Sequence, residues 1–448
     1  MSMKIFAINR QNTTGILVFA TLAASFLGPG FTFGLSEQGF NSGLLFFFVY
    51  LGFTLQTILI GIFVAPKLRK YKAAYTVGDI VGFHYGKAAR LFTGLISMLY
   101  CAGIVGIVGQ VSGLLLQSTL NIQYEWGVIL TTLVVVLYAL GGMRTILFTD
   151  FFQFLMLALP ISIFSIILYF KVPDISIIAA NLPVSFNNPF NSVSGIEFIG
   201  LFAGFFLGET LVPPYTTRAF VSKDSKSAGS GFYLAGVFSL LWFAMVVSIG
   251  IIARALFPEI NASDSFLTMA NNYLPVGLLG FLMVAIISIV MSTQDTYLQS
   301  AAVSFVRDII QTLKKEASEQ EMLLYTRITT FLIGVLGVIF AINAQGIIKA
   351  LLLNYTFWAP TIVLPLILAI LIPNKVKPLA GLVSILTGGI SVALWEWVFH
   401  SPFGISSLIV GVIMNQVGFW LIQLLVKSES TGAFLQKSSG CTGITSKI

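Results

Sequence analysis

One stretch of the sequence, "MSTQDTYLQS" (residues 291–300), holds side chains that could coordinate an ion inside a long apolar segment. Polar residues recur every three or four positions, the spacing of one helix face: Ser288, Ser292, Thr296 and the pair Gln299 and Ser300, flanked by Thr293 and Asp295. Hydroxyl and carboxylate oxygens suit a hard cation such as sodium and offer nothing for zinc or copper. Hydroxyls in membrane helices also hydrogen-bond to neighbouring helices, so both roles stay open for them, and Asp295 favours an ion site.

A second stretch, "AASFLGPGFTFG" (residues 23–34), breaks the first apolar segment. Pro29, between Gly28 and Gly30, has no amide hydrogen, and a helix that ends there leaves its last carbonyls, from Ala24 to Leu27, without partners. Such carbonyls are tolerated within a membrane only where they line a cavity or bind an ion. The carbonyls of Ala24 and Leu27 with the hydroxyls of Ser292 and Thr293 therefore predict a sodium site.

Ionisable residues within the apolar segments are few, and each costs about 2.5 kcal/mol or more at mid-membrane. Besides Asp295 the main ones are Asp150 and Glu209, whereas Arg254, Lys349 and Glu396 lie nearer the ends of their spans. Glu209 lies in "FIGLFAGFFLGETLVPPYTTR", a second segment interrupted by glycines and by the Pro213–Pro214 pair. Two interrupted spans in corresponding positions are typical of a transporter with its binding site at the membrane midplane.

The composition indicates a membrane protein, because 57% of the 448 residues are hydrophobic and only 9% are charged, against about a quarter charged in soluble proteins. Two cysteines give no disulfide framework, and the basic residues lie in short loops rather than in a nucleic-acid-binding patch. No nucleophile–base pair or metal-ligand cluster is evident, so we expect no enzyme and no organic cofactor.

We predict an all-α fold with twelve spans: 14–35, 43–65, 92–118, 126–142, 147–171, 195–217, 231–256, 276–306, 325–343, 346–372, 378–399 and 403–426.

The 24 Lys and Arg residues orient these spans. All except Lys171, Arg254 and Lys349 fall in alternate loops, including Arg218 after the sixth span, so both termini are predicted to be cytoplasmic. We divide the chain into consecutive parts: a cytoplasmic N-terminus (1–13), a first five-helix unit (14–171), an extracellular loop (172–194), a second, inverted unit (195–372), two added helices (373–426) and a disordered cytoplasmic tail (427–448).

The stretch "YALGGMRTILFTDFFQF" (residues 138–154) resembles the signature of the solute:sodium symporters, the family of sodium/proline, sodium/pantothenate and sodium/glucose transporters. "MSTQDTYLQS" and "RAFVSKDSKSA" (residues 218–228) resemble the same family. The resemblance implies the five-plus-five inverted repeat of the leucine-transporter type.

The resemblance also implies site residues. Ile289 would add a backbone oxygen to the sodium site of Ala24, Leu27, Ser292 and Thr293. A second sodium, bound by some members only, would use Asp150, Asp295 and Thr296. The solute would lie beside Gly28, Pro29, Gly30 and Glu209, with Gln110 as the polar residue of the third span. The chain departs from the family pattern in two places: it begins almost at the first core span, and it has Phe26 where sodium/proline members carry an aspartate.

The sequence thus predicts a sodium-coupled symporter in the inner (plasma) membrane that imports a small organic solute, an amino acid or an organic acid, by alternating access. A proton-coupled transporter of the same fold and a transporter-derived sensor are the alternatives. The expected partners are the solute, sodium and the lipid bilayer, with neither nucleic acid nor an obligate protein partner.

Overall fold

The computed structural model is all-helical and describes residues 2–28, 30–190, 193–314, 316–343 and 347–426. Pro29 and the predicted tail, 427–448, lie outside the described residues. We number the main helices in chain order: α1 Met3–Ile8, α2 Gly15–Phe26, α3 Gly30–Ser42, α4 Leu45–Leu68, α5 Val77–Leu120, α6 Tyr124–Ala139, α7 Met143–Lys171, α8 Ile175–Asn181, α9 Gly195–Leu207, α10 Pro213–Val221, α11 Ser225–Leu256, α12 Ser265–Tyr273, α13 Val276–Leu313, α14 Glu319–Asn343, α15 347–371, α16 Pro378–Val398 and α17 Ser407–Leu425.

Nine helices in the described part of the chain are long and apolar enough to cross a membrane, or ten if α2 and α3 count as one broken span. Large apolar side chains also face outward along the helices, as lipid contact requires; on α14 alone these include Leu324, Ile328, Phe331, Leu332, Val335 and Leu336. The protein is therefore a multi-span membrane protein. Each predicted span falls on a helix, but α6 and α9 are shorter apolar helices, so the count of twelve crossings stays a prediction.

Both predicted interruptions are present. Helix α2 ends at Phe26 and α3 starts at Gly30, with the two helix axes bent by 70°. Helix α9 ends at Leu207 and α10 starts at Pro213, with Leu211 between them at a positive φ of 52°. The two prolines that begin α10 lack the N–H groups that a helix start leaves unpaired, so they start it at no hydrogen-bonding cost.

Side chains from neighbouring helices donate hydrogen bonds to backbone carbonyls at both breaks. Tyr50 donates to the carbonyl of Gly30 at 3.2 Å, and Trp242 donates to that of Phe31 at 3.2 Å. At the second break, Trp358 donates to the carbonyl of Thr210 at 2.8 Å. Irregular backbone is tolerated inside a membrane protein where its polar groups find such partners. The same bonds hold both breaks against the surrounding helices.

Three details differ from the predicted organisation. The predicted N-terminal segment, residues 1–13, contains a helix, α1, with Phe6 and Ile8 fully buried. The third span extends back to Val77 through a bend at Gly86, where φ is 89°. The predicted loop 172–194 contains α8 and a short 3₁₀ turn at Val184–Asn187.

Helix packing brings the interrupted helices to the centre of the molecule. Helix α11 packs on α2, α3 and α4, and α13 packs on α2, α5 and α7. The contact between α11 and α3 is close at Gly250, where an added Cβ would lie 1.9 Å from the carbonyl oxygen of Ser36. Only glycine fits at that position, so the first break is held between two long helices.

Candidate ion and solute site

The break after α2 contacts α13 at Thr293, as the sequence predicted for these two spans. Thr293 Oγ1 donates to the carbonyl of Ser25 at 3.4 Å. Gly28 lies so close that an added Cβ would be 2.8 Å from the same Oγ1 atom. The other predicted sodium ligands, Ala24, Leu27, Ile289 and Ser292, are all buried at the ends of α2 or on α13.

The backbone of α2 ends as the missing proline amide predicts. Its last helical hydrogen bond runs from the N–H of Leu27 to the carbonyl of Ala23 at 2.9 Å. Within the described residues, no backbone N–H donates to the next carbonyl, that of Ala24. The carbonyl of Leu27 accepts from Thr32 Oγ1 at 3.0 Å and retains its second lone pair. These two carbonyls can therefore act as oxygen ligands for a cation.

Each of the two hydroxyls of α13 donates its hydrogen to another oxygen of the protein. Ser292 Oγ donates to Asp150 Oδ1 at 2.7 Å, while Thr293 donates to Ser25. A hydroxyl that donates its one hydrogen still presents lone pairs on its oxygen. Both hydroxyl oxygens thus keep lone pairs for a hard cation, which binds to oxygen ligands.

A buried ion pair adjoins this cluster. Arg218 of α10 and Asp150 of α7 are both fully buried, with Nη2 and Oδ2 separated by 2.7 Å. The same Nη2 atom donates to Thr296 Oγ1 at 2.8 Å and lies 3.3 Å from Ser25 Oγ. Arg218 was assigned to a loop by the orientation rule, and that assignment is wrong, because α10 carries its side chain into the protein interior.

The residues predicted for a second sodium lie together around this pair. Asp150 and Thr296 contact Arg218 directly, and Asp295 is buried beside Thr296 on α13. In the described part of the chain, Asp295 Oδ1 has no hydrogen-bond partner. The three residues are therefore neighbours, with an arginine among them that the sequence did not indicate.

A cavity adjoins the α2 break. Its walls are mostly apolar, with two hydroxyls, two tyrosines and one carboxylate: Ser25, Phe26, Gly28, Gly30, Phe31, Ile104, Ile107, Val108, Val111, Glu209, Thr293, Tyr297, Leu351 and Tyr355. Three of the residues predicted to lie beside the solute, Gly28, Gly30 and Glu209, line this cavity. Gln110 is buried on α5, but the residues of α5 that line the cavity are its apolar neighbours.

Glu209 is the only charged side chain among the described residues that line this cavity. Two tyrosine hydroxyls donate to it, Tyr215 to Oε2 and Tyr355 to Oε1. A carboxylate that accepts hydrogen bonds is stabilised in its charged form inside an apolar environment. The sequence analysis identified neither tyrosine. Only Tyr215 could have been found from its position, because it lies six residues after Glu209 and directly after the two prolines.

A second group of charged side chains joins the N-terminal part of α5 to the C-terminal end of α13. Asp79 pairs with Arg90 at 2.5 Å and with Arg307 at 3.2 Å, and Arg90 lies 3.3 Å from Asp308. Arg307 also stacks over the ring of Tyr75 at 4.3 Å. This group ties the helix that carries Ser292 and Thr293 to α5, on which the apolar cavity wall lies.

Comparison with known proteins gives one family. The model of the sodium:solute symporter family matches residues 6–388. The high-affinity proline transporter PutP of Bacillus subtilis is 25% identical over 422 residues, which cover 89% of this chain and 87% of the relative. The sodium/proline symporter of Staphylococcus aureus is 23% identical over 477 residues, covering 97% of this chain and 92% of the relative.

Two solved structures share the fold. A sodium-coupled sialic acid symporter in a substrate-bound outward-open state superposes with a TM-score of 0.82 at 17% identity, covering 95% of this chain and 93% of the other. MhsT in complex with L-phenylalanine gives a TM-score of 0.53 at 16% identity, covering 91% of this chain and 97% of the other. At these identities the likeness concerns the fold alone.

Proposed function

The chain belongs to the sodium:solute symporter family, and from that premise we propose that it imports a small amine-bearing solute, an amino acid rather than a simple organic acid. It is a sodium-coupled symporter of a small solute and not an enzyme. What the family leaves open is which oxygens bind the sodium and what the solute is. The carboxylate of Glu209 in the cavity is the observation that carries the proposal about the solute.

We place the transported sodium between α2 and α13. The ligands are the backbone oxygens of Ala24, Leu27 and Ile289 and the hydroxyl oxygens of Ser292 and Thr293. Their support is the contact between the α2 break and Thr293, together with the lone pairs that both hydroxyl oxygens retain while they donate to Asp150 and Ser25. All five ligands are neutral oxygens, which suit sodium and bind it weakly enough for release in each cycle.

The cavity favours a solute with a positively charged amine and an apolar body. Glu209 accepts hydrogen bonds from two tyrosines but forms no ion pair with the described residues, and an ammonium group that pairs with it lowers the cost of its buried charge. A solute carboxylate would lie at the other end, beside the sodium and the N-terminus of α3, where helix dipoles favour negative charge. The apolar residues of α5 and Leu351 would contact the side chain. An organic acid without an amine would leave Glu209 without a cationic partner.

Transport assays on proteoliposomes test this proposal. An inward sodium gradient should drive uptake of radiolabelled apolar amino acids, and the N-acetyl derivatives of the same amino acids should not compete. Glu209→Gln should raise the KM for the amino acid at least tenfold, because the ammonium loses its charged partner. Glu197→Gln is the matched control, since Glu197 is exposed in the first turn of α9. Uptake of N-acetylated solutes equal to that of the parent amino acids would refute the proposed solute class.

The same assay separates the alternatives kept from the sequence. Replacement of external sodium by choline at fixed pH should abolish uptake; uptake driven by a proton gradient alone would favour proton coupling. A sensor would bind the solute without accumulating it.

We further propose that the helices form twelve crossings with both termini cytoplasmic in the plasma membrane. Residues 14–171 and 195–372 would be inverted repeats, each beginning with a broken helix, with residues 373–426 adding two more helices.

A further inference from the structure

Arg218 has the surroundings of a bound cation rather than of a loop residue. One of its nitrogens, Nη2, lies within 3.3 Å of oxygens from three helices: Asp150 of α7, Thr296 of α13 and Ser25 of α2. Its other terminal nitrogen, Nη1, donates to the sulfur of Met143 at 3.7 Å. Both the arginine and the aspartate are fully excluded from solvent.

We infer that the guanidinium of Arg218 is a resident cation at Asp150 and Thr296, which excludes a second sodium ion there and limits the protein to one sodium per transport cycle. The inference rests on the proposed sodium site at Ser292 and Thr293, and concerns how many ions bind beside it. A sodium ion at Asp150 and Thr296 would have to share both oxygens with the arginine.

Two features oppose such sharing. The guanidinium and the ion would be like charges a few ångströms apart in a buried region, where electrostatic repulsion is much stronger than in water. Thr296 Oγ1 also accepts a hydrogen bond from Nη2, and Asp150 divides its two oxygens between Arg218 and Ser292. Two of the three residues that a second ion needs, Asp150 and Thr296, are therefore already hydrogen-bonded to donors, and Asp295 Oδ1 alone has no partner among the described residues.

The arginine also cannot withdraw easily. An arginine is charged at every physiological pH, and moving it away from Asp150 would leave a buried carboxylate unpaired. Its helix, α10, is buried along its whole length and starts at the rigid proline pair. Unlike a transported ion, this cation is covalently attached and stays with Asp150 whatever the sodium concentration.

Counting bound sodium tests the inference without knowledge of the solute. Equilibrium binding of sodium-22 to the purified full-length protein in lipid nanodiscs should saturate at one ion per chain. Arg218→Gln, which removes the charge, should raise the count to two. Arg218→Lys, which keeps the charge, should leave the count at one.

A wild-type count of two, or an Arg218→Gln count that remains at one, would overturn the inference. If Arg218→Gln does not fold, the double variant Asp150→Asn/Arg218→Gln replaces the ion pair by two amides. It should bind one ion, and two ions or none would contradict the proposal. Failure of the sodium site itself has another signature: Ser292→Ala with Thr293→Ala would then leave binding unchanged, whatever the count.

Discussion

Removal of the two α13 hydroxyls is the most direct perturbation of the proposed sodium site. The double variant Ser292→Ala/Thr293→Ala deletes two of five proposed ligands and leaves the three backbone oxygens in place. A contact between a hydroxyl and a full charge contributes about 1.5 kcal/mol or more, and each 1.4 kcal/mol is a tenfold change in the dissociation constant. We therefore expect each single variant to weaken sodium binding about tenfold, and the double variant about 100-fold.

Sodium-22 binding to the purified protein measures this constant directly. Thr293→Ser keeps an oxygen at the same position and should retain most of the affinity. Ser384→Ala is the control for loss of a buried hydroxyl as such, because Ser384 is fully buried on α16 and donates only to the carbonyl of Gly381 in its own helix. If the double variant folds normally and its sodium affinity equals that of the wild type, the ion does not bind at these hydroxyls.

The remaining predictions concern the ion pair and the close contact at the α2 break. Asp150→Asn leaves Arg218 as an uncompensated buried charge and should lower the free energy of unfolding by about 3–5 kcal/mol. Thermal unfolding of the purified protein measures this, and Asp150→Asn/Arg218→Gln should recover most of the loss; a double variant as unstable as the single one would disprove the pairing argument. Gly28→Ala places a Cβ 2.8 Å from Thr293 Oγ1 and should weaken sodium binding several-fold, whereas Gly280→Ala, with open space around it, should not. Equal sodium affinity of these two variants would show that the close approach at Gly28 is not needed.

The first break could be predicted because its cause is local. Pro29 lacks an amide hydrogen, so the end of α2 follows from the sequence, as does the release of carbonyls at Ala24 and Leu27. The contact with Thr293 required one more step, that a hydroxyl-rich helix face supplies the missing oxygens. What the sequence could not give is which side chains satisfy the other carbonyls, because Tyr50, Trp242 and Trp358 are brought there by packing between distant helices.

Arg218 shows where a statistical rule fails for a physical reason. The rule that basic residues lie in cytoplasmic loops holds because an unpaired charge is costly in the membrane. Arg218 escapes it by pairing with Asp150, which is 68 residues away in sequence. Two clues were present: Asp150 is a carboxylate within a predicted span to which no basic residue was assigned, and Arg218 follows the proline pair by little more than one helical turn.

The arrangement explains how ion and solute can act on each other. Thr293 and Gly28 belong to the α2–α13 contact where sodium is proposed to bind, and both also line the cavity that we propose for the solute. An ion that draws Thr293 and the end of α2 together therefore shapes a wall of the cavity before the solute enters. Each ligand then favours the conformation that binds the other, and this mutual preference is what coupled transport requires.

Arg218 links the second break to this contact, because its side chain joins α10 to both α2 and α13. A movement of either broken helix must disturb the same few oxygens, so sodium release and solute release are expected to occur together.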